Sequence, residues 1–371
     1  MAKNPLPNEV YVRRQAPRKG DVRGPYFRDQ TAIIHSHPFR RLKHKTQVFF
    51  SPQNDHVCTR IEHVMHVATI AATICKGLNS AGWDLDVELA YAIGLGHDLG
   101  HGPFGHVGEQ ALNDKLVGKR TFVHEVHSYR VVEHLAHCGK GLNLTYAVKD
   151  GIICHNGERF ENKLLPAAQE NDLEKIVDRR CMASSYEGCV VRFADKIAYL
   201  GRDIEDALVG KLIERRDIPA DVAKGLGNTN AEIIESCVVD MIENTKDSDM
   251  VRFSDETIGL MQELKRFNYK RIYFHDKMLI TGKFCHRIIS NLFDHLLAIY
   301  LRCGCDFPKY EESGIRLDSN FGRYIRDMDV VYGKVKTMPE TIVTDFIAGM
   351  TDLYAVESMK QISLPSPIDF G

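Results

Sequence analysis

The sequence predicts an all-α fold, because apolar residues recur at helical spacing over long stretches and strand signals are scarce. Within residues 59–78, positions such as Ile61 and Val64 follow intervals of three or four and give one apolar face. Residues 184–208 are interpreted as a second long helix. TQVFF, at residues 46–50, is the best strand candidate. With no internal repeat and no long linker, we expect a single, mainly helical unit.

The remaining elements follow from apolar runs and from capping residues. The first 28 residues are polar, basic and proline-rich and are interpreted as an arm or loop, followed by one or two short helices before TQVFF. Asp86 is placed to cap a nearly all-apolar helix, and Pro339 to open the last one. Further helices are predicted, in chain order, at 86–97, 105–116, 123–138, 144–154, 255–280, 283–303 and 339–360, with short helices within 217–247 and loops at 51–56 and 363–371.

Composition excludes several classes of protein. The chain has 371 residues with a formal net charge of -2, so it is not a polycation. Residues 1–50 are nevertheless basic, with 11 Lys and Arg against 3 acids, which suits an anionic ligand, a nucleic acid or simply a solvated arm. No apolar stretch is long enough for a membrane span, and no secretion signal precedes residue 10. Ten cysteines without a CxxC pair favour the reducing cytoplasm.

The most informative stretch is YAIGLGHDLGHGPFGHVGE, at residues 91–109. His97 and Asp98 are adjacent and offer an imidazole and a carboxylate, two standard ligands for a divalent cation. His101 and His106 follow in a Gly-Pro-rich turn just before a helix N-terminus, where anions are favoured. An adjacent His and Asp alone also fit a buried histidine beside a capping aspartate.

Two residues elsewhere complete a candidate metal set. His63 lies within the helix of residues 59–78, and Asp195 lies within that of residues 184–208. Together with His97 and Asp98, they can surround one cation with mixed nitrogen and oxygen ligands, which suits Mn, Fe, Co, Ni, Mg or Zn. Taken singly, His63 fits an ordinary core histidine, and Asp195 fits an ion pair with a neighbouring cation.

The ordered set His63, His97-Asp98 and Asp195 resembles the HD superfamily of metal-dependent phosphohydrolases. The sequence around these residues resembles the deoxynucleoside triphosphate triphosphohydrolases. This group includes the bacterial dGTPase-like enzymes and the mammalian enzyme that combines a SAM and an HD domain. The matching pieces are FRRLKHKTQVF (39–49), TRIEH (59–63), GHDLGHGPFGHVGE (96–109), HE (124–125), GLNLT (141–145), ADKIAYLGRDIEDA (194–207) and KRIYFH (270–275).

The resemblance implies an HD-domain helical fold with an added C-terminal helical lobe. We predict a basic N-terminal arm at 1–38, an HD phosphohydrolase core at 39–280 and the lobe at 281–371. We expect the lobe to pack with the core as one unit. The resemblance covers residues 39 to 275 and includes no SAM domain.

The resemblance also implies hydrolysis of a dNTP to a deoxynucleoside and intact triphosphate, with one divalent cation held by His63, His97, Asp98 and Asp195. His101 would contact the α-phosphate, and His106 would donate a proton near the 5′-oxygen of the sugar. His124 would lie near the reacting centre with Glu125 tuning it. Glu109 would orient His106, although a first-turn acid at a helix N-terminus explains it equally well.

Substrate contacts are implied at seven further positions. Arg60, Lys196 and Arg266 match triphosphate-binding cations. Tyr199 would pack under the sugar, and Tyr273 would exclude a 2′-hydroxyl. Gln47 and Asp203 would read the 3′-hydroxyl. Asp195, Tyr199 and Asp203 are spaced by four residues, so they share one helix face.

Several alternatives stay open at this point. Many bacterial dGTPases have Asn-Pro where this chain has His101-Gly102. They have Glu-Gly-Asn where this chain has residues 124–126. At both positions this chain is more similar to the mammalian enzyme. His124 and His155 would be the candidates for a second metal ion. The chain could instead be another HD phosphohydrolase, acting on a nucleoside monophosphate, a cyclic dinucleotide or an alarmone, or a protein that binds single-stranded nucleic acid or senses dNTPs. By kinship we expect a homo-oligomer, activated by a nucleotide at a subunit interface near the basic residues 11–45.

Overall fold

The fold is known from a computed structural model that describes residues 3–50, 56–156, 161–333 and 337–364. The α-helices are α1 (Asn8–Tyr11), α2 (Gly24–Ile34), α3 (His37–Arg41), α4 (Arg60–Ser80), α5 (Val87–Gly96), α6 (Gly105–Lys115), α7 (His124–Arg130), α8 (Ala136–Gly139), α9 (Tyr146–Ile153), α10 (Tyr186–Val209), α11 (Ala220–Gly225), α12 (Asn230–Thr245), α13 (Asp255–Asn268), α14 (Asp276–Cys303), α15 (Arg316–Asp327), α16 (Asp329–Tyr332), α17 (Pro339–Ala348) and α18 (Asp352–Ser363).

The other regular elements are short. Three-residue or four-residue 3-10 turns lie at Leu42–His44, Leu173–Lys175, Arg215–Asp217 and Phe307–Tyr310, and π-turns lie at Val131–Leu135 and Tyr269–Tyr273. Strands β1 (Lys163–Leu164) and β2 (Val251–Arg252) pair antiparallel. TQVFF forms no strand and contributes a single bridge between Thr46 and Thr59. The prediction of an all-α fold is therefore confirmed.

Helices α4, α5 and α10 form the centre of the protein, packed against one another. Asp86 caps α5 by accepting hydrogen bonds from the amides of Glu88 and Leu89, at 2.9 and 3.1 Å, as its sequence position predicts. Gly94 allows α4 and α5 to approach closely, because a Cβ atom there would lie 2.6 Å from the Cα of Ala68. This tight contact fixes the ends of the two helices relative to each other.

The C-terminal helices build a second apolar cluster that includes part of the N-terminal half. Ala111 and Leu112 of α6 are fully buried among side chains of α14, α15 and α17. The predicted boundary between residues 280 and 281 falls inside α14. The predicted division into arm, core and lobe stays a prediction, and the shared cluster supports packing as one unit.

Two sequence-based expectations about the helices were wrong. The helix expected to end at residue 280 ends instead at Asn268, where the π-turn begins, and α14 then runs unbroken through Gly282. The last helix is split by residues 349–351, because Thr351 caps α18 by accepting from the amide of Tyr354. The N-terminal residues contact the rest of the chain, since Tyr11 donates to the carbonyl of Ser184 at 2.7 Å. Residues 51–55 and 365–371, predicted to be loops, lie outside the described residues.

Candidate metal centre and active site

The central helices bring the four candidate metal ligands together. His63 lies in the first turn of α4, His97 and Asp98 directly follow α5, and Asp195 lies near the middle of α10. His63 Nε2 and Asp195 Oδ1 are 3.0 Å apart, and His97 Nε2 lies 3.8 Å from the same Asp195 oxygen. His97 Nε2 is 3.7 Å from Asp98 Oδ1. All four side chains are buried, and their ligand atoms fall into two groups that share His97: His63, His97 and Asp195 in one, and His97, Asp98 and His155 in the other.

The protonation states of this set suit a cation. The Nδ1–H of His97 donates to the carbonyl of Gly94 at 2.8 Å, which leaves Nε2 as a lone pair. That nitrogen is buried and has no hydrogen-bond partner among the described residues. Burial lowers the pKa of His97 and favours its neutral form, the form that binds metals. The donor set therefore fits a divalent cation.

The two carboxylates are held in the charged form. Burial alone would raise the pKa of Asp98, but the Arg60 guanidinium, which pairs with its other oxygen, and the nearby His97, His101 and His124 together outweigh burial and hold that pKa well below its usual range. For Asp195, burial is outweighed by the hydrogen bond with His63 and by His97, and its pKa is lowered as well. Both aspartates are thus ionised ligands near neutral pH.

His155 lies on the far side of His97. The two rings meet edge to face with centroids 4.8 Å apart, and the Nδ1–H of His155 donates to the carbonyl of Ile152 at 2.6 Å. His155 therefore presents Nε2 toward two candidate ligand groups, one with His97 and Asp98 and one with His124 and Glu125. A second metal ion at His124 and His155 stays a prediction.

The turn after α5 and the start of α6 carry the second functional cluster. His101, His106, Glu109 and His124 place ligand or acid–base atoms within 4.8 Å of one another. The rings of His101 and His124 stack at 3.9 Å, whereas the side chain of His106 is 65% exposed. This arrangement places three imidazoles beside the metal set, as the resemblance implies.

Tight packing holds the turn against α7. A Cβ atom at Gly100 would lie 2.1 Å from the amide nitrogen of Ser128, so only glycine fits there. The Gly100 amide also donates to the hydroxyl of Ser128 at 2.9 Å. Because α7 carries His124 at its first position, this contact sets the distance between His124 and the histidines of the turn.

Two carboxylates and one arginine surround His124. Glu109 Oε2 accepts from His124 Nδ1 at 2.9 Å, and Glu125 Oε2 lies 3.5 Å from the same nitrogen. Burial alone would lower the pKa of His124, but the negative charges of Glu125 and Glu109 have the larger combined effect and raise this pKa to about 9. Arg179 bonds to both carboxylates. Sequence reasoning missed Arg179, since it lies in an irregular charged segment without any periodicity or motif.

A cavity of about 1180 Å³ opens in front of both clusters. Its wall includes five of the predicted substrate contacts, namely Gln47, Arg60, Tyr199, Asp203 and Tyr273. Tyr273 donates its hydroxyl proton to the Asp203 carboxylate, and burial raises the pKa of Asp203 to about 7 despite that bond. The predicted sugar contacts therefore line the same cavity as His63, Asp98 and Asp195.

Two predicted phosphate contacts lie elsewhere. Lys196 is buried behind the cavity wall, 3.6 Å from Glu161 and beside the Phe193 ring, and it does not line the cavity. Arg266 lines an adjoining open groove but not the main cavity, whereas its neighbour Lys265 lines both. Sequence reasoning also missed further cations of the wall, Lys283 and Arg287, because they lie beyond the region of resemblance.

Comparison with known proteins identifies the family. Residues 60–200 match the HD domain, and residues 251–361 match the phosphohydrolase-associated domain. A deoxyguanosinetriphosphate triphosphohydrolase-like protein of Caldanaerobacter subterraneus subsp. tengcongensis is 38% identical over 356 residues, which cover 96% of this chain and 89% of that protein. The chain belongs to the HD-domain family of deoxyguanosinetriphosphate triphosphohydrolase-like proteins. The family resemblance noted from the sequence is confirmed.

Other members of this triphosphohydrolase-like family match over similar lengths. The Desulfatibacillum aliphaticivorans protein is 33% identical over 94% of this chain and 90% of its own length. The Clostridium perfringens (strain SM101) protein is 33% identical over 96% of this chain and 92% of its own. Both carry the same family name. The chain is thus an HD-domain phosphohydrolase, and HD domains depend on a metal ion. Among the described residues, no helix is long and apolar enough to cross a membrane.

Proposed function

We propose that the protein hydrolyses deoxynucleoside triphosphates to a deoxynucleoside and intact triphosphate. The observation that carries the proposal is the shared cavity. His63, Asp98 and Asp195 of the candidate metal set line this cavity together with the histidine cluster, and so do Tyr199, Asp203 and Tyr273. A site for a simple phosphate ester needs no such extended cavity.

The proposed reaction is a displacement at the α-phosphorus. The oxygen of a water molecule bonds to phosphorus, the bond from phosphorus to the sugar 5′-oxygen breaks, and the 5′-oxygen takes up a proton. A divalent cation held by the four ligands would supply Lewis-acid polarisation of a phosphoryl oxygen. Arg60, which lines the cavity and pairs with Asp98, is placed to neutralise charge on the phosphates.

The histidine cluster supplies proton transfer and positioning. We assign His106, the exposed member of the cluster, to proton donation at the 5′-oxygen. His101, buried next to Asp98, would contact the α-phosphate and orient the attacking water. His124 carries a proton near neutral pH and would stabilise the negative charge that develops on the phosphoryl oxygens. Glu109 bonds to His124 more closely than to His106, so we assign it to orienting His124 first.

The deoxyribose would be recognised by other residues that line the cavity. Gln47 Oε1 is buried, lines the cavity and has no hydrogen-bond partner among the described residues, so it suits a substrate hydroxyl. Asp203 offers a carboxylate for the 3′-hydroxyl, and Tyr273 would crowd the 2′ position. Tyr199 would pack under the sugar ring.

The proposal includes an oligomer with a nucleotide activator and a cytoplasmic enzyme. The ten cysteines are unpaired at the positions described, which favours a reducing compartment. Basic residues concentrate near the N-terminus, and Arg40 and Lys43 there are exposed. An anionic activator or a single-stranded nucleic acid would bind such a surface through charge.

The direct test is turnover of each of the four dNTPs and of GTP with Mn²⁺ added, with products separated by chromatography. Asp195→Ala serves as the inactive control. Release of deoxynucleoside and intact triphosphate, lost in the variant, is the expected result. Cleavage only of monophosphates, cyclic dinucleotides or alarmones would overturn the proposal and leave another HD phosphohydrolase. Salt-dependent binding of single strands without any turnover would favour a binding protein.

A further inference from the structure

Arg179 reaches the cavity from a segment without helix or strand structure. It lies between the 3-10 turn Leu173–Lys175 and α10, and its carbonyl accepts a 2.8 Å hydrogen bond from the Asn156 side chain. Its guanidinium lines the cavity with the side chain 28% exposed. The segment thus brings a cation to a cavity otherwise lined by residues 47–48, α4, the turn after α5, and helices α6, α7, α10, α13 and α14 with the π-turn between the last two.

The guanidinium bridges two acids from different helices. Arg179 Nε donates to Glu125 Oε1 at 2.8 Å, and its terminal nitrogen donates to Glu109 Oε1 at 2.9 Å. Glu109 belongs to α6 and Glu125 to α7, and both carboxylates are buried. Two buried carboxylates repel each other unless a cation compensates both, and the planar guanidinium matches carboxylate geometry. The bridge therefore fixes two like charges at one site.

Both acids hold the same imidazole. The second oxygen of Glu109 accepts from His124 Nδ1, and the second oxygen of Glu125 lies beside that nitrogen. Each acid thus directs one oxygen to Arg179 and the other toward Nδ1 of His124, and a terminal nitrogen of Arg179 itself lies 3.2 Å from that Nδ1. If the guanidinium is removed, each carboxylate loses the donor that fixes one of its oxygens, and the placement of His124 against His101 is less constrained.

We infer that Arg179 is a positioning residue that orients His124 through Glu109 and Glu125. This inference rests on the proposed function, in which His124 acts at the reacting phosphate. Arg179 sets the angle of His124 and takes no part in bond making. Its neighbour Arg180 pairs only with Asp178 in the described structure, is 83% exposed and does not line the cavity.

The experiment compares Arg179→Met with Arg180→Met in the full chain. In Arg179→Met we expect kcat for dNTP hydrolysis to fall by about 10- to 100-fold with KM within about threefold, as for other partners that orient a functional residue. Arg180→Met is the matched control and keeps the wild-type kcat and KM. Arg179→Lys keeps the positive charge but loses the planar guanidinium that bonds to two carboxylates. It should therefore have a kcat between those of Arg179→Met and the wild type. A kcat for Arg179→Met equal to wild type would overturn the inference.

A double-mutant cycle separates positioning from general damage. If Arg179 acts through Glu109, the loss in Glu109→Gln/Arg179→Met is smaller than the product of the two single losses. If the loss of kcat in the double variant equalled the product of the two single losses, the inference would be overturned. If Arg179→Met fails to fold, as judged by its melting curve, Arg179→Lys takes its place in the cycle.

A readout without substrate distinguishes the two proposals. In protein labelled with ¹⁵N-histidine, the nuclear magnetic resonance signal of His124 Nδ1, assigned by its loss in His124→Gln, should move in Arg179→Met and stay in place in Arg180→Met. An inactive wild-type enzyme with this shift would defeat the proposed function and keep the positioning role. An active wild type with an unmoved His124 signal would defeat the inference alone.

Discussion

The amide of Phe104 donates a 2.9 Å hydrogen bond to the Asp352 carboxylate, 248 residues further along the chain. Phe104 has a left-handed backbone, with φ at +62°, and immediately precedes the helix that carries His106 and Glu109. The other oxygen of Asp352 accepts from the amide and the hydroxyl of Thr46, next to Gln47. The start of α18 thus anchors two segments of the active site.

Asp352→Ala should lower the free energy of unfolding by about 3 kcal/mol, because it leaves one buried donor, at Phe104, and two partly buried donors, at Thr46, without their acceptor. Urea unfolding followed by circular dichroism measures the change. Asp327→Ala removes an exposed carboxylate at the end of α15 and should change stability by less than about 0.5 kcal/mol. If Asp352→Ala cost no more than this control, the hydrogen bonds of Asp352 would have no net effect on stability.

Removal of the metal should abolish hydrolysis, and removal of one ligand should abolish metal binding. Calorimetric titration of chelator-treated protein with Mn²⁺ measures binding without substrate. In Asp195→Ala we expect the affinity for Mn²⁺ to fall by more than about 100-fold, because the variant loses a side chain that binds the metal directly. Loss of a residue that only orients a metal ligand already lowers the affinity by about 10- to 100-fold. Glu205→Gln, on the same helix but outside the ligand set, should bind as wild type does. Wild-type affinity in Asp195→Ala would place the metal elsewhere.

The helices and the positions of the candidate metal ligands on them were predictable because both depend on local spacing. Periodic apolar residues marked α4 and α10, and the ligands lie on these helices or directly after α5. Arg266 shows the limit of such reasoning. Successive residues on a helix point about 100° apart, so a shift of one position exchanges the cavity-lining Lys265 for its neighbour. Arg179 and Asp352 act across contacts that no local pattern encodes.

Tyr273 should discriminate against ribonucleotides if the proposed function holds. Tyr273→Ala removes the ring, and we expect the ratio of kcat/KM for dGTP to that for GTP to fall by about 10- to 100-fold, the range for rejecting one hydroxyl. Tyr273→Phe keeps the ring and loses only the bond to Asp203, so it should keep the ratio. Steady-state kinetics with both nucleotides measure it. An unchanged ratio in Tyr273→Ala would remove Tyr273 from sugar recognition.

His127 should make the fold less stable in acid. Its ring is buried between α7 and α17, and burial lowers its pKa to about 3. Asp345, 3.8 Å away, would favour a charged ring, but its carboxylate already bonds to Arg130 and to the hydroxyl of Tyr332. The unfolded chain binds a proton at pH 6.5 and below, whereas the folded protein does so only near pH 3.

Stability from the neutral His127 is therefore present above pH 6.5 and is lost as the pH falls toward 3. Between pH 7 and pH 5 the loss should be about 2 kcal/mol in the free energy of unfolding. Urea unfolding at both pH values measures it, with His127→Gln as the comparison, because glutamine does not titrate. The wild type should lose about 2 kcal/mol more than the variant over this interval. Equal losses in the two proteins would mean that His127 binds its proton in the folded state as readily as in the unfolded chain.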